Sequence, residues 1–401
     1  MPSFGCRSKQ ILEVLLSLEG SDGILEVVVT HISLNSAGGG ELVCLSLIKA
    51  LRNSGNRVTL ATVDKTDWLR LKKIFGKITV PDQEFYVLSY SPRTSLGTVN
   101  SALLVALFWA ELLLLRLIKR HYLMINTCGE KVNSIADIAY FNGIPLRCAF
   151  LLRGTNAKRR CLSILYNLFS KTFDKINPSL IVANSRFNKG LIQKCIKNPA
   201  VVVYPPVNVQ RFRDLKRKSE DIVLTYSQYV PTQNLGCVAR IAKIAQEANF
   251  VIIGPSGSTS KNTLKELHAL ASQLSIRDRV TFLTNQPFSR YIELLSIAKV
   301  FLRTLQNEPF GISVVEAMAA GCVPVVPSNG GTWYDILDQK QGKYGYSYRS
   351  VEEAAEIIDM LIEDDRLRLE ISKRAAQRAH EFEISIFDRK ILGIIEKTVS
   401  S

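Results

Sequence analysis

From Leu25 onward, short apolar runs alternate with amphipathic stretches of helical period. Glu26 to Ile32, rich in β-branched residues, reads as a buried strand. Asn35 to Gly40 is a glycine-rich loop, Glu41 to Asn53 an amphipathic helix that stops before Gly55, and Arg57 to Val63 the next strand. The chain thus opens as a βαβ unit with glycines between strand and helix. Further strands are predicted at 122–126, 138–145, 180–185 and 201–203, with a helix over 186–197. The second half repeats the rhythm. Strands fall at 221–226, 250–253, 280–283, 300–302 and 323–326, and helices at 235–248, 262–274, 291–298 and 312–320. Beyond Asp335 the pattern is helical, over 350–363, 365–381 and 385–399. Alternation of this length predicts an α/β chain with doubly wound parallel sheets. A length of 401 residues accommodates two domains.

Thr98 to Lys119 is the most apolar stretch, broken by Glu111 and Arg116. Its uncharged part, roughly 16 residues, is short for a membrane span. It reads as a buried helix of the first domain. A helix lying in a bilayer surface, aided by Arg116, Lys119, Arg120 and Lys158-Arg159-Arg160, is the second reading, and a transmembrane helix the third.

The densest chemistry lies at Asn307-Glu308-Pro309-Phe310-Gly311-Ile312, followed by Glu316, by Ala317 to Gly321, and by Asn329-Gly330-Gly331 after the next strand. Pro309 and Gly311 mark a turn. The free N–H groups of the helix start then point, with the Glu308 carboxylate, at one place. Such a start favours anions, phosphates above all. Two glutamates at this spacing are a weak signal; the whole string is a specific one.

Charge narrows the partners. Lys plus Arg number 51 against 36 Asp plus Glu, a formal net charge of +15. This suits an anionic partner, but no aromatic-interleaved basic motif points to nucleic acid. An anionic membrane surface or phosphorylated substrates fit better. The eight cysteines form no Cys-x-x-Cys pair, and with four histidines a zinc site is not expected. Several cysteines fall in apolar runs, as reduced thiols of a cytosolic protein would.

The string around Glu308 resembles the donor-binding element of the retaining GT-B glycosyltransferases of family 4, the glycosyl transferases group 1. Gln228-Tyr229 followed by Pro231, Tyr204-Pro205-Pro206-Val207 and the triple glycine followed by Glu41 are similar to one branch. That branch is the α-1,2-mannosyltransferases of the dolichol-linked N-glycan core and their prokaryotic relatives. The resemblance covers roughly residues 25–395. It implies a GT-B architecture, two Rossmann-like doubly wound domains facing across a cleft. Residues 1–24 are then a leader, 25–208 the acceptor domain, 219–380 the nucleotide-sugar donor domain, with Arg211 to Lys218 a loop-like linker. Residues 381–401 form a C-terminal helix returning to the first domain.

The resemblance also implies roles. Glu308 is the catalytic carboxylate that contacts the transferred sugar, and Glu316 holds the ribose hydroxyls. Gly311, Ile312 and Ser313, with the loop Gly38, Gly39 and Gly40, offer N–H groups to the donor. The family usually places an Arg and a Lys against the diphosphate; Gln228 and Gln233 stand there instead. The enzyme is then slow or specialised, or uses Arg303 or a first-domain cation. Asn142 lies on the acceptor side, where many relatives carry a histidine. No metal and no cofactor is expected, only a nucleotide-sugar co-substrate. The implied function is hexose transfer, mannose from GDP-mannose, to a lipid-linked or glycan acceptor, in the cytoplasm or peripherally at the cytosolic membrane face. A UDP-sugar-dependent polysaccharide transferase and a weakened nucleotide-sugar-binding or scaffold subunit remain alternatives.

Overall fold

A computed structural model of the chain describes residues 24–88, 122–128, 135–145, 178–196, 198–215, 217–257 and 260–400, with 108, 110, 112, 113 and 116. The leader up to residue 23, the basic stretch 158–160 and most of the apolar stretch 98–119 lie outside the described residues. Within that stretch Phe108 and Leu112 are buried in a core with Val28, Phe85 and Met124. Arg116 pairs with Asp137. No helix among the described residues is long and apolar enough to cross a membrane.

The chain divides into two compact units. Unit 1 comprises the residues up to Asn184, then Asn188–Pro206 and Phe387–Ser401; unit 2 comprises Ser185–Phe187 and Val207–Ile386.

Unit 1 is built on a parallel sheet of seven strands: β1 (Glu26–Thr30), β2 (Arg57–Asp64), β3 (Gln83–Leu88), β4 (Leu123–Asn126), β5 (Ile138–Phe141), β6 (Leu180–Ala183) and β7 (Ala200–Val202). Their order is β3-β2-β1-β4-β5-β6-β7. The order reverses direction at β1, the position where open α/β sheets place their ligands beyond the carboxyl ends of strands. Helix α1 (Gly39–Asn53) lays Val43, Cys44, Leu47, Ile48 and Leu51 on the sheet. Each such side chain contributes about 1.5–3 kcal/mol by leaving water. Helix α2 (Trp68–Phe75) and edge strand β3 escape the periodicity reading. The edge strand buries only Phe85 and Val87, so its sequence lacks the continuous apolar run of a central parallel strand. A third helix, α3 (Arg186–Cys195), precedes β7.

Unit 2 holds a six-stranded parallel sheet of β8 (Glu220–Tyr226), β9 (Asn249–Gly254), β10 (Val280–Thr284), β11 (Ala298–Leu302), β12 (Val323–Pro327) and β13 (Tyr346–Tyr348), in the order β10-β9-β8-β11-β12-β13. Its helices are α4 (Gln210–Arg213), α5 (Gly236–Ile244), α6 (Ser260–Gln273), α7 (Phe288–Ile297), α8 (Ile312–Ala319), α9 (Val351–Glu363) and α10 (Asp365–Ala379). The final helix, α11 (Ile384–Ser400), sends Phe387, Ile391 and Ile395 into the core of unit 1 beside Val27 and Leu51.

The stretch 211–218 opens on the short helix α4, which carries Arg211, its guanidinium 4.0 Å from the centre of the Phe288 ring; past Arg213 its described residues form no helix or strand. Arg217 donates to the carbonyls of Leu295, Ala298 and Ala320, and so satisfies the orphan oxygens at the ends of α7 and α8. The region after Asp335 is not all helical, because β13 pairs with β12. Helix α5 stops at Ile244 rather than Ala248, where Arg279 takes the carbonyls of Ala242 and Ala245.

Candidate functional site

In unit 2 the loop after β11 presents Glu308, and α8 starts beside it. Gly311 takes φ +106°, a conformation that a side chain disfavours, and turns the loop into the helix. No side chain caps α8, so its first N–H groups have no capping acceptor among the described residues. A Cβ on Gly311 would lie 3.5 Å from the Glu308 carboxyl group and 2.6 Å from the Thr332 methyl. Thr332 itself is fully buried and its hydroxyl has no partner among the described residues. The Gly330–Gly331 turn presses on the same loop: Gly331 N–H donates to Glu308 O at 2.6 Å, and a Cβ on Gly331 would meet Pro309 O at 2.2 Å. Glycine is therefore required for this close approach, which holds Glu308 in place.

Arg303, only 6% exposed, dominates the electrostatics. It extends from the end of β11 and grips both oxygens of Glu308, with Nη2 at 2.9 Å from Oε1. Nη1 donates to Tyr226 O at 3.0 Å, and Nη2 also reaches Gln233 Oε1 at 3.2 Å. Gln233 Oε1 accepts from Ser227 Oγ at 3.0 Å as well. A guanidinium thus arrives in space at the position where the sequence lacks a cation. Gln228, by contrast, is exposed and makes no side-chain contact with Glu308 or Arg303 among the described residues.

Glu316 sits one turn into α8. Tyr291 donates its hydroxyl to Glu316 Oε2 at 3.1 Å. Tyr226 stacks obliquely on Tyr291, their ring centres 4.6 Å apart. Burial pushes the Glu316 carboxyl up to about 7, against the Tyr291 hydrogen bond and the Arg211 charge, which both favour the ionised form.

Unit 1 holds a pocket of about 450 Å³, lined by His31, Gly40, Glu41, Thr127 and Asn142 among others. Gly38 N–H donates to Glu41 Oε2 at 2.8 Å at the start of α1. Asn142 Nδ2 donates to Thr127 O at 3.1 Å, and Asn184 Nδ2 donates to Asn142 O at 2.7 Å. His31, which the sequence reading passed over, is 7% exposed; its Nδ1 meets Thr127 Oγ1 at 2.8 Å. The only local signal for it was its position at the end of β1, shortly before the glycine loop.

In unit 2 Glu308, Gly311 and Gln233 therefore come together around Arg303, with Ile312, Ser313 and Glu316 on the adjoining helix. In unit 1 Gly40 and Asn142 line one pocket, and Gly38 and Gly39 lie at the helix start beside it.

Residues 207–378, nearly all of unit 2, match the family described as glycosyl transferases group 1. The chain resembles the GT-B glycosyltransferases. Among curated proteins, this GT-B chain is 28% identical over 284 residues to the GDP-Man:Man(3)GlcNAc(2)-PP-Dol alpha-1,2-mannosyltransferase of Neurospora crassa, covering 62% of this chain and 51% of that one. It is 29% identical over 300 residues to the human protein of the same name, covering 69% and 59%. It spans about half the length of the first of these relatives. Among solved structures, Anabaena HepE in complex with UDP and glucose superposes with a TM-score of 0.70 at 19% identity, over 93% of this chain and 100% of that one. The sucrose-phosphate synthase of Thermosynechococcus elongatus gives 0.75 at 12% identity, over 94% and 99%. These structural likenesses establish the fold: two Rossmann-like parallel-sheet domains of the GT-B class.

Proposed function

We propose that this chain is a retaining, family 4 mannosyltransferase that takes mannose from GDP-mannose and passes it to a lipid-linked glycan acceptor. The observation that carries the reading is the Arg303–Glu308 clamp at the uncapped start of α8. Breaking a sugar–phosphate bond leaves growing negative charge on the departing diphosphate, which cations and fixed N–H dipoles must meet. In this reading Arg303 and the N–H groups of Gly311, Ile312 and Ser313 meet it, and Gln233 orients the guanidinium. Glu308 accepts hydrogen bonds from the sugar hydroxyls and fixes the ring for attack. Glu316 accepts the ribose hydroxyls. The formal charge of +15 favours peripheral contact with an anionic cytosolic membrane face, where a lipid-linked acceptor is anchored.

Support for mannose comes from the names of the curated relatives at 26–29% identity. A second reading, a UDP-sugar donor, draws on the UDP-bound HepE structures that share the fold. Thermal-shift and calorimetric titration with GDP and UDP, followed by donor hydrolysis with Glu308→Ala as control, tests both. Stabilisation by GDP and Glu308-dependent turnover of GDP-mannose are expected. Preference for UDP replaces the first reading by the second, and binding of neither nucleotide overturns both.

A further inference from the structure

In unit 2 Arg303 and Glu308 are paired with each other. The guanidinium gives Nε and Nη2 to the two oxygens of Glu308, Nη2 also to Gln233 Oε1, and Nη1 to Tyr226 O. An anion that takes hydrogen bonds from Arg303 must draw it off Glu308. The carboxylate, only 13% exposed, then needs another donor, because a nearly buried charge without one is strongly disfavoured. Of the hydroxyls around the clamp, Ser227 gives to Gln233 Oε1, Thr304 to Gln233 O and Tyr348 to Arg303 O. The hydroxyl of Thr332, a fully buried residue, has no partner among the described residues.

Glycines set its place. Thr332 follows Gly330–Gly331, the turn that presses on the Glu308 loop. The point where a Gly311 Cβ would stand lies 2.6 Å from the Thr332 methyl carbon and 3.5 Å from Glu308 Oε2. The methyl and the carboxylate thus border one small space, open because residue 311 has no side chain. Methyl and hydroxyl share the threonine Cβ, and a step of about 120° in χ1 exchanges such groups. Stability alone would choose another residue here. Valine has the same shape and buries no unpaired hydroxyl.

We propose that Thr332 is a positioning residue of the unit 2 site: its hydroxyl turns to Glu308 Oε2 as an anion draws Arg303 away, and so keeps the carboxylate aimed at the ligand. In the exchange Glu308 Oε2 loses the Nε–H of Arg303 and gains the O–H of Thr332, so that oxygen keeps a donor throughout. Arg303 turns about the bond from Nη1 to Tyr226 O, which does not involve Glu308. Naming the anion as a nucleotide diphosphate rests on the transferase reading; the change of partners at Glu308 needs only an anion that takes Arg303.

The test is calorimetric titration and thermal unfolding of the full chain, with inorganic pyrophosphate and GDP as probes. Thr332→Val keeps the shape and removes the hydroxyl. It should melt above wild type and bind both probes about tenfold more weakly or worse, the loss of one hydrogen bond to a charged acceptor. Thr332→Ser keeps the hydroxyl and loses the methyl, and should melt lower yet bind both probes as wild type does. A role in packing alone cannot produce these opposite orders. In a Glu308→Ala background there is no carboxylate to hold, so Thr332→Val should no longer change either affinity. If Thr332→Val does not fold, Thr332→Ser against Thr332→Ala decides, the serine variant binding about tenfold more tightly or better. The proposal is overturned if Thr332→Val binds the probes as wild type does, if it weakens them equally without Glu308, or if wild type binds neither probe. Pyrophosphate binding that depends on Thr332, with no binding of GDP, overturns the transferase reading and leaves this one standing.

Discussion

Moving the cation of the unit 2 site from position 303 to position 233 should remove and then restore diphosphate recognition. Arg303→Gln deletes a guanidinium that holds both oxygens of Glu308, Tyr226 O and Gln233 Oε1. Two consequences follow, and they separate. The first is stability. The side chain of Glu308 is only 13% exposed, and removing its partner leaves a nearly buried carboxylate uncompensated. Breaking such a pair costs about 3 kcal/mol or more. For a unit of this size that lowers the melting midpoint by roughly 6–12 °C. The second is binding. A charge-assisted hydrogen bond to phosphate is worth about 1.5–3 kcal/mol, so GDP affinity should fall about 10- to 150-fold. Guanosine, which lacks the phosphates but keeps the ribose, should bind the variant as it binds wild type. Gln233→Lys in the Arg303→Gln background places an ammonium where Gln233 and Arg303 now meet, 3.2 Å apart. It should recover most of the GDP-over-guanosine ratio without recovering full stability, because lysine cannot reproduce the fork that grips Glu308. Isothermal titration of both ligands against the wild type and the variants measures the ratio directly. An unchanged ratio in Arg303→Gln would refute the assignment of Arg303 to the diphosphate, whatever happens to stability.

Glu316→Gln should separate stability from binding. The folded carboxyl titrates at about 7 against an ordinary 4.5, so the folded state holds a proton that the unfolded chain has released. Stability is therefore fully present below about pH 4.5 and declines by about 3 kcal/mol as pH rises through 7. Urea unfolding should show this slope in the wild type and not in Glu316→Gln, which becomes the more stable protein at pH 8 while losing affinity for GDP; an equal slope in both would remove Glu316 as its source. Gly331→Ala places a Cβ 2.2 Å from Pro309 O and must displace the loop that carries Glu308. It should cost about 1–3 kcal/mol in thermal unfolding and weaken GDP binding, and a neutral outcome in both would mean that the turn yields freely. Tyr229→Phe removes the hydroxyl that donates to Ile252 O at 2.6 Å and Leu283 O at 3.2 Å. Leaving these buried carbonyls short of a partner should cost about 1–3 kcal/mol in urea unfolding, with GDP affinity preserved.

The elements of both sheets were legible where burial is continuous. Val27 to Val29 and Val323 to Val326 are apolar on both faces, as central parallel strands must be, and the glycine turns around them announce where they end. The edges were not legible. Strand β13 is three residues long, contains two tyrosines, and exists because β12 offers it a ladder. Arg211 and Arg217 look like linker charge when counted along the chain. One lies over Phe288 and the other caps helix ends, using contacts that no local pattern encodes.

The same distinction decides how the two sites are to be read. Gln228 and Gln233 mark positions where the family resemblance calls for cations, and along the chain their absence argues for a weakened enzyme. In space the charge at Glu308 depends on whichever cation arrives there, and Arg303 arrives from the end of β11 with Gln233 as one of its acceptors. The triple glycine likewise has to be taken with its neighbour: Glu41, three residues into the same motif, takes the Gly38 N–H. His31 is held beside this motif by Thr127, a partner that lies 96 residues away. A missing charge at one motif position and a glycine loop at another therefore carry little weight until the neighbouring side chains are placed. Once they are, Arg303 and the uncapped start of α8 stand together in unit 2, and a carboxylate stands at the glycine loop of unit 1.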